Sequence, residues 1–136
     1  MVKLVLGSRG TGKTTKLIQK ANEDIKKCAG DIAFIDADNK NMYNLNHKVR
    51  LINAMEFDIN NIENFHGFLC GIIAEDYDIE KVYIDEIYNL IDLDMDKLND
   101  LILKLENLGE KFNTNFILSI DYDLDDVSED IREYAE

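Results

Sequence analysis

Apolar residues along the chain fall into two kinds of pattern, short unbroken runs and stripes at helical spacing, and the two alternate. Val2-Lys3-Leu4-Val5-Leu6 reads as a short strand, after which Leu17, Ile18, Ala21 and Ile25 recur at helical spacing from a start near Lys13. Cys28 continues that stripe, and Gly30, free to take positive φ, is expected to stop the helix. Asp31 to Asp36 reads as a second strand whose apolar body suits burial on both faces. From Ala37 to Asn46 the chain is polar, asparagine-rich and aperiodic, which predicts an exposed loop, and Lys48 to Ile52 is a weaker strand candidate. Asp58 is a candidate N-cap for a helix marked by Ile59, Ile62, Phe65, Leu69, Ile72 and Ile73, although Gly67 and Gly71 weaken the pattern. Lys81-Val82-Tyr83-Ile84-Asp85-Glu86 reads as the fourth strand. Leu98, Leu101, Ile102, Leu105 and Leu108 form the clearest helical stripe, with Gly109 as its expected stop. Asn115 to Ile120 is a fifth strand, and a terminal acidic helix is expected to turn Val127, Ile131 and Tyr134 inward.

Strand and helix in turn predict one α/β domain over residues 1–136: a mostly parallel sheet of about five strands, helices on both faces, and ligands at the carboxyl ends of the strands. Charge adds a second constraint. The formal net charge is -13, yet residues 1 to 30 carry seven Lys or Arg against two acids. A basic start suits an anionic ligand, while the acidic remainder disfavours direct nucleic-acid binding by this chain. Cys28 and Cys70 are too few and too separated for a disulfide framework or metal cluster, and read as buried apolar residues in a reducing compartment. No apolar run approaches the ~20 residues of a membrane span, so the expected location is the cytosol. His47 and His66 stand without partners at ligand spacing.

The most specific feature is Gly7-Ser8-Arg9-Gly10-Thr11-Gly12-Lys13-Thr14, which fills the phosphate-loop pattern between a strand and a helix. Bare backbone at Gly7, Gly10 and Gly12 lets successive N–H groups, that of Thr11 among them, wrap phosphates. A helix beginning near Lys13 aims its unsatisfied N–H groups at the same anion. Lys13 is expected on the β- and γ-phosphates, Thr14 on magnesium, and Thr15 on the α-phosphate, which makes ATP and Mg2+ the expected ligands. If Lys81 to Ile84 is a buried parallel strand, Asp85 emerges at the ligand-binding edge and joins Thr14 at the metal. Glu86, one residue on, is then placed to orient or deprotonate an attacking water, unless it merely caps the next segment.

These motifs resemble the P-loop NTPases, and Asp85-Glu86 looks like the branch in which a catalytic glutamate follows the Walker B aspartate. That resemblance covers nearly the whole chain. It implies that the strand after the metal-holding one is inserted beside the phosphate-loop strand and ends in a residue sensing the γ-phosphate, for which Ser119 and Asp121 are the candidates. Ser119 can equally be a small core residue with a satisfied hydroxyl. Arg9 resembles the loop arginine of viral DNA-packaging ATPases, where such a residue is thought to act on the phosphates in cis; the other reading is a solvent-facing side chain. The layout is also similar to thymidine-kinase-like enzymes, but this chain lacks their cysteine-rich zinc segment, so a nucleoside pocket has to come from residues 37 to 57. Asp36 ends the second strand and either faces the nucleotide or initiates a turn, and Arg50 and Arg132 are candidate fingers toward a neighbouring subunit.

The expectation is therefore a Mg2+-dependent ATPase with Lys13, Glu86 and Arg9 as its catalytic residues. With no evident lid, a second subunit or a larger replication or packaging machine is expected to complete its site. A nucleoside kinase and a nonenzymatic nucleotide-controlled interaction module are the alternatives.

Overall fold

The computed structural model describes residues Met1 to Glu136. Its elements run β1 (Val2–Leu6), α1 (Lys13–Asp24), β2 (Asp31–Asp36), β3 (Arg50–Asn53), α2 (Ile62–Glu75), β4 (Ile79–Ile84), α3 (Met95–Phe112), β5 (Asn115–Ile120) and α4 (Glu129–Arg132). The five strands form one sheet in the order β1-β5-β4-β2-β3, and every pairing is parallel. β5, last in sequence, is thus inserted between β1 and β4.

Side chains at alternate strand positions divide between two cores. Ala33 and Ile35, Val82 and Ile84, and Phe116 and Leu118 pack under α2 and α3. Ile32 and Phe34, Tyr83, and Ile117 pack against Leu17, Ile18 and Ala21 of α1. Helices therefore cover both faces, and the central strands are buried on both sides, as their unbroken apolar runs require. One sheet margin is also covered: Leu4 N–H donates to Tyr134 C=O at 2.8 Å, and Glu136 N–H donates to Leu4 C=O at 2.9 Å. No helix is long and apolar enough to cross a membrane.

Several boundaries differ from those the sequence predicts, each for a local reason. α1 ends at Asp24 and unwinds through Cys28, well before Gly30. Gly30 takes no positive φ. It is small because an added Cβ would collide with the Asp78 carbonyl, and its N–H donates to Glu80 Oε1 at 2.8 Å. Gly109 lies inside α3, where a Cβ would meet the Thr114 carbonyl. The helix instead stops at Asn113, in the left-handed region at φ 56°. Asp58 does not cap α2. It closes a short 3-10 turn over Ala54–Phe57, and Asn61 caps the helix in a reciprocal box with Asn64. The third strand is Arg50–Asn53, the fourth stops at Ile84, and the terminal helix is only Glu129–Arg132, with Val127 and Ile131 buried as expected and Tyr134 half-buried. Cys28 and Cys70 are half-buried at the margins of the two cores, not inside them.

Candidate functional site

The site forms where β1, β4 and β5 present their carboxyl ends. Residues 7–12 leave β1 in a tight loop with Gly10 and Gly12 at φ 80° and 85°, conformations that side-chain-bearing residues rarely adopt. Gly7 is required differently, since a Cβ there would strike the Thr11 hydroxyl. The start of the loop is tied to the segment after β5: Gly7 N–H donates to Tyr122 C=O at 2.8 Å and Ser8 N–H to Asp123 Oδ1 at 3.1 Å. Beyond them, no N–H from Arg9 to Thr15 donates a hydrogen bond within the chain, and Lys16 N–H makes the next, to Gly12 C=O at 3.1 Å. These donors border an open cleft of about 380 Å3 lined by residues 9–15 together with Glu86, Tyr88 and Asn89. Unpaired main-chain N–H groups at a helix start, gathered round a polar cleft, form an anion-binding concavity.

Lys13 is only 7% exposed although it opens a surface helix. Its Nζ donates to the Gly7 and Ser8 carbonyls at 2.7 and 2.9 Å, which folds the ammonium back over the loop and keeps it in the cleft. Thr11 Oγ1 braces the loop by donating to Ser8 C=O at 2.6 Å. Thr14 and Thr15 both line the cleft, Thr15 from an exposed position.

Asp85 follows β4 and is fully buried. Its N–H donates to Ile35 C=O at 2.8 Å, continuing the ladder one residue past the strand. Oδ2 accepts from Thr14 Oγ1 at 2.7 Å, and Oδ1 accepts from Ser119 Oγ at 2.6 Å. Burial pushes the Asp85 pKa up, with Glu86 adding repulsion, while the Ser119 and Thr14 bonds and the Lys40 ammonium pull it down. The Thr14 hydroxyl, from a residue on the cleft wall, and the Asp85 carboxylate, buried behind it, are hard oxygen donors already in hydrogen-bond contact. This donor set suits Mg2+, which takes few protein oxygens and completes its shell with phosphate and water.

Ser119 sits behind this pair, not on the cleft wall. It donates to Asp85 and accepts from the Glu86 N–H at 3.0 Å, so its hydroxyl is committed within the chain. Asp121 lies half-buried beyond the end of β5.

Glu86 is one of three non-glycine residues with positive φ, at 55°. This conformation turns the chain sharply out of β4, so that Asp85 points inward while Glu86 borders the cleft. The Glu86 carboxylate also meets a cation that the sequence reading did not single out. Lys40 Nζ lies 3.3 Å from Glu86 Oε2 and 3.5 Å from Asp38 Oδ2, and the two carboxylates raise the Lys40 pKa, Glu86 the more strongly. Asp36, Asp38 and Glu86 bring oxygens within 4.8 Å of one another, a cluster the Lys40 ammonium partly neutralises.

Asp36 does not line the cleft. It is fully buried, and it accepts from Ala37 N–H at 2.7 Å and Asn41 Nδ2 at 3.3 Å, the turn-forming alternative of the two read from sequence. The loop after β2 is therefore less exposed than its polarity suggests, with Ala37 and Asn41 buried. Arg9 lines the cleft. Arg50 pairs with Glu75 at 3.4 Å, and Arg132 donates to the Leu124 and Asp125 carbonyls at 3.1 and 3.3 Å, so both bond within the chain. His47 is exposed, and His66 approaches only Cys70.

Tyr88 and Asn89 were not identified from sequence. They reach the cleft because the chain after Glu86 forms a 3-10 turn over Ile87–Asn89, in which buried Ile87 points inward and its two neighbours point out. Compared with known protein families and with curated proteins, the chain has no match in either.

Proposed function

We propose that this chain is a Mg2+-dependent P-loop nucleoside triphosphatase, with ATP as the substrate to test first. The observation that carries the reading is the set of unpaired N–H groups from Arg9 to Thr15 around a cleft that also holds a nearly buried lysine. The inserted position of β5, which brings Ser119 behind Asp85 and Glu86, agrees with the strand order of the branch that carries a catalytic glutamate.

In this reading the N–H groups of Gly10 to Thr14 bind the phosphates without reorganising, and Lys13 neutralises the β- and γ-groups. Thr14 and Asp85 hold Mg2+, which when bound supplies positive charge against the phosphate oxygens. Ser119 keeps the Asp85 carboxylate and the Glu86 main chain in fixed relation. Glu86 orients the attacking water and accepts its proton at a carboxylate oxygen. Of residues 37 to 57, from which a nucleoside-acceptor pocket would have to come, Arg50 to Asn53, Glu56 and Phe57 line a cleft of about 570 Å3, and that cleft shares no residue with the one that Glu86 borders. Water as acceptor is therefore the better supported reading.

Calorimetry with ATP and Mg2+, paired with phosphate release, tests it. Lys13→Ala is expected to abolish binding, and Glu86→Gln to preserve binding while stopping turnover. Equal turnover in Glu86→Gln would remove the hydrolytic role. Phosphate transfer to added nucleosides would replace hydrolysis with a kinase reaction, and tight binding without turnover would leave a nucleotide-controlled interaction module.

A further inference from the structure

Arg9 is the one arginine lining the cleft, and it does not hang free. Its Nη2 donates to Asn89 Oδ1 at 3.0 Å, and its guanidinium carbon lies 6.0 Å from the centroid of the Tyr88 ring. Lys13 Nζ approaches the same ring at 5.8 Å, so the electron-rich ring is shared by both cations of the loop. Tyr88 and Asn89 belong to a turn closed by Asn89 N–H donating to Glu86 C=O at 2.9 Å and Leu90 N–H donating to Ile87 C=O at 2.9 Å. Ile87 is completely buried beneath it. The support for Arg9 is thus built on the main chain that also carries Glu86, across the cleft from the loop that carries Arg9 itself.

Resting on the nucleotide-binding reading above, we propose that Asn89 and Tyr88 are positioning residues that hold the Arg9 guanidinium at the mouth of the cleft, where it meets the terminal phosphate of a triphosphate already oriented. An exposed arginine on a glycine-rich loop would otherwise sample many rotamers, and fixing one in advance spares that loss when ligand arrives. The partners suit a hold that lasts into the bound state. The Asn89 oxygen engages Nη2 alone, so the remaining N–H donors of the guanidinium stay free for phosphate oxygens while the bond persists. The aromatic face supports the planar guanidinium without competing for its N–H donors. Because the turn that follows Glu86 holds the guanidinium, at the end of the cleft to which the proposed reading assigns the γ-phosphate, the clamp selects triphosphate over diphosphate.

The test uses the full chain with Glu86→Gln, so that binding is read without turnover, and compares calorimetric affinities for ATP and ADP with Mg2+. Asn89→Ala is expected to weaken ATP about three- to tenfold, the scale of one oriented hydrogen bond, and to change ADP by less than about twofold. Tyr88→Leu follows the same pattern, whereas Tyr88→Phe keeps the ring and retains the discrimination. With Arg9→Ala already present, Asn89→Ala adds no further loss, an outcome that a general structural role for Asn89 would not produce. Equal losses for ATP and ADP, or fully additive losses in the double variant, overturn the clamp while leaving nucleotide binding standing. Failure of the parent protein to bind either nucleotide overturns the nucleotide reading and the clamp with it.

Discussion

Asp36 offers a direct measure of what the fold gives up to keep a carboxylate beside the site. It is fully buried, and its two hydrogen-bond donors, the Ala37 N–H and the Asn41 amide, are both neutral. Burial, with Asp85 and Asp38 adding repulsion, outweighs those two bonds and pushes its pKa from 3.8 up to about 6. The native state therefore holds this proton more tightly than the unfolded chain does. Stability falls as pH rises from about 4 through about 6, and the whole penalty is present above that window. At ~1.4 kcal/mol per tenfold, the difference amounts to about 3 kcal/mol. Asp36→Asn removes the charge and keeps the shape; its amide oxygen still accepts from Ala37, and Asn41 can turn its own oxygen toward the new NH2. The variant is expected to be more stable than the parent by up to about 3 kcal/mol near pH ~8, and by only about 0.5 kcal/mol near pH ~4. Urea unfolding of both proteins at the two pH values, with stabilities taken from midpoint and slope, reads the difference. A gap of the same size at both pH values, or an Asn variant less stable at the higher one, would refute the assignment of the penalty to a buried ionised Asp36.

Two further outcomes follow from the site's wiring. Ser119→Ala leaves Asp85 Oδ1 and the Glu86 N–H without their partner; the expected cost is about 1–3 kcal/mol of stability together with a fall in turnover, checked by denaturation and phosphate release on the same preparation. Lys40→Met removes the ammonium beside Glu86, and a carboxylate freed from such a pair is a better proton acceptor. Turnover should rise by up to about fivefold, the equivalent of the ~1 kcal/mol an exposed pair is worth, and a fall in turnover would make Lys40 a supporting residue instead.

Element types are legible in this sequence because its apolar periods are clean: the strands are nearly continuous runs, and the stripe from Leu98 to Leu108 has no competing pattern. Boundaries are less legible because glycine has two uses. Gly30 and Gly109 read as helix stops, yet each is small so that another segment's carbonyl can pass close by, a tertiary demand that local sequence does not carry. Asn113 and Asn61, which end α3 and begin α2, resemble every other asparagine in an asparagine-rich chain. For the site, the loop residues and Asp85-Glu86 could be named because glycines, lysine and acids at fixed offsets constrain one another. Tyr88 and Asn89 escaped because only the left-handed turn at Glu86 brings them round to the cleft, and Lys40 because its partner lies in a different strand connection.

Fastening residues 7 and 8 to Tyr122 and Asp123 has a thermodynamic consequence. The entropy of ordering the start of the glycine-rich bend is spent when the chain folds, so that under the proposed function a polyanion would find its donors already aimed and have little left to rigidify. Ligand affinity and global stability are then linked through β5: loosening the short connection after Ile120 should blunt recognition at the opposite end of the sequence, without altering any group that touches the guest.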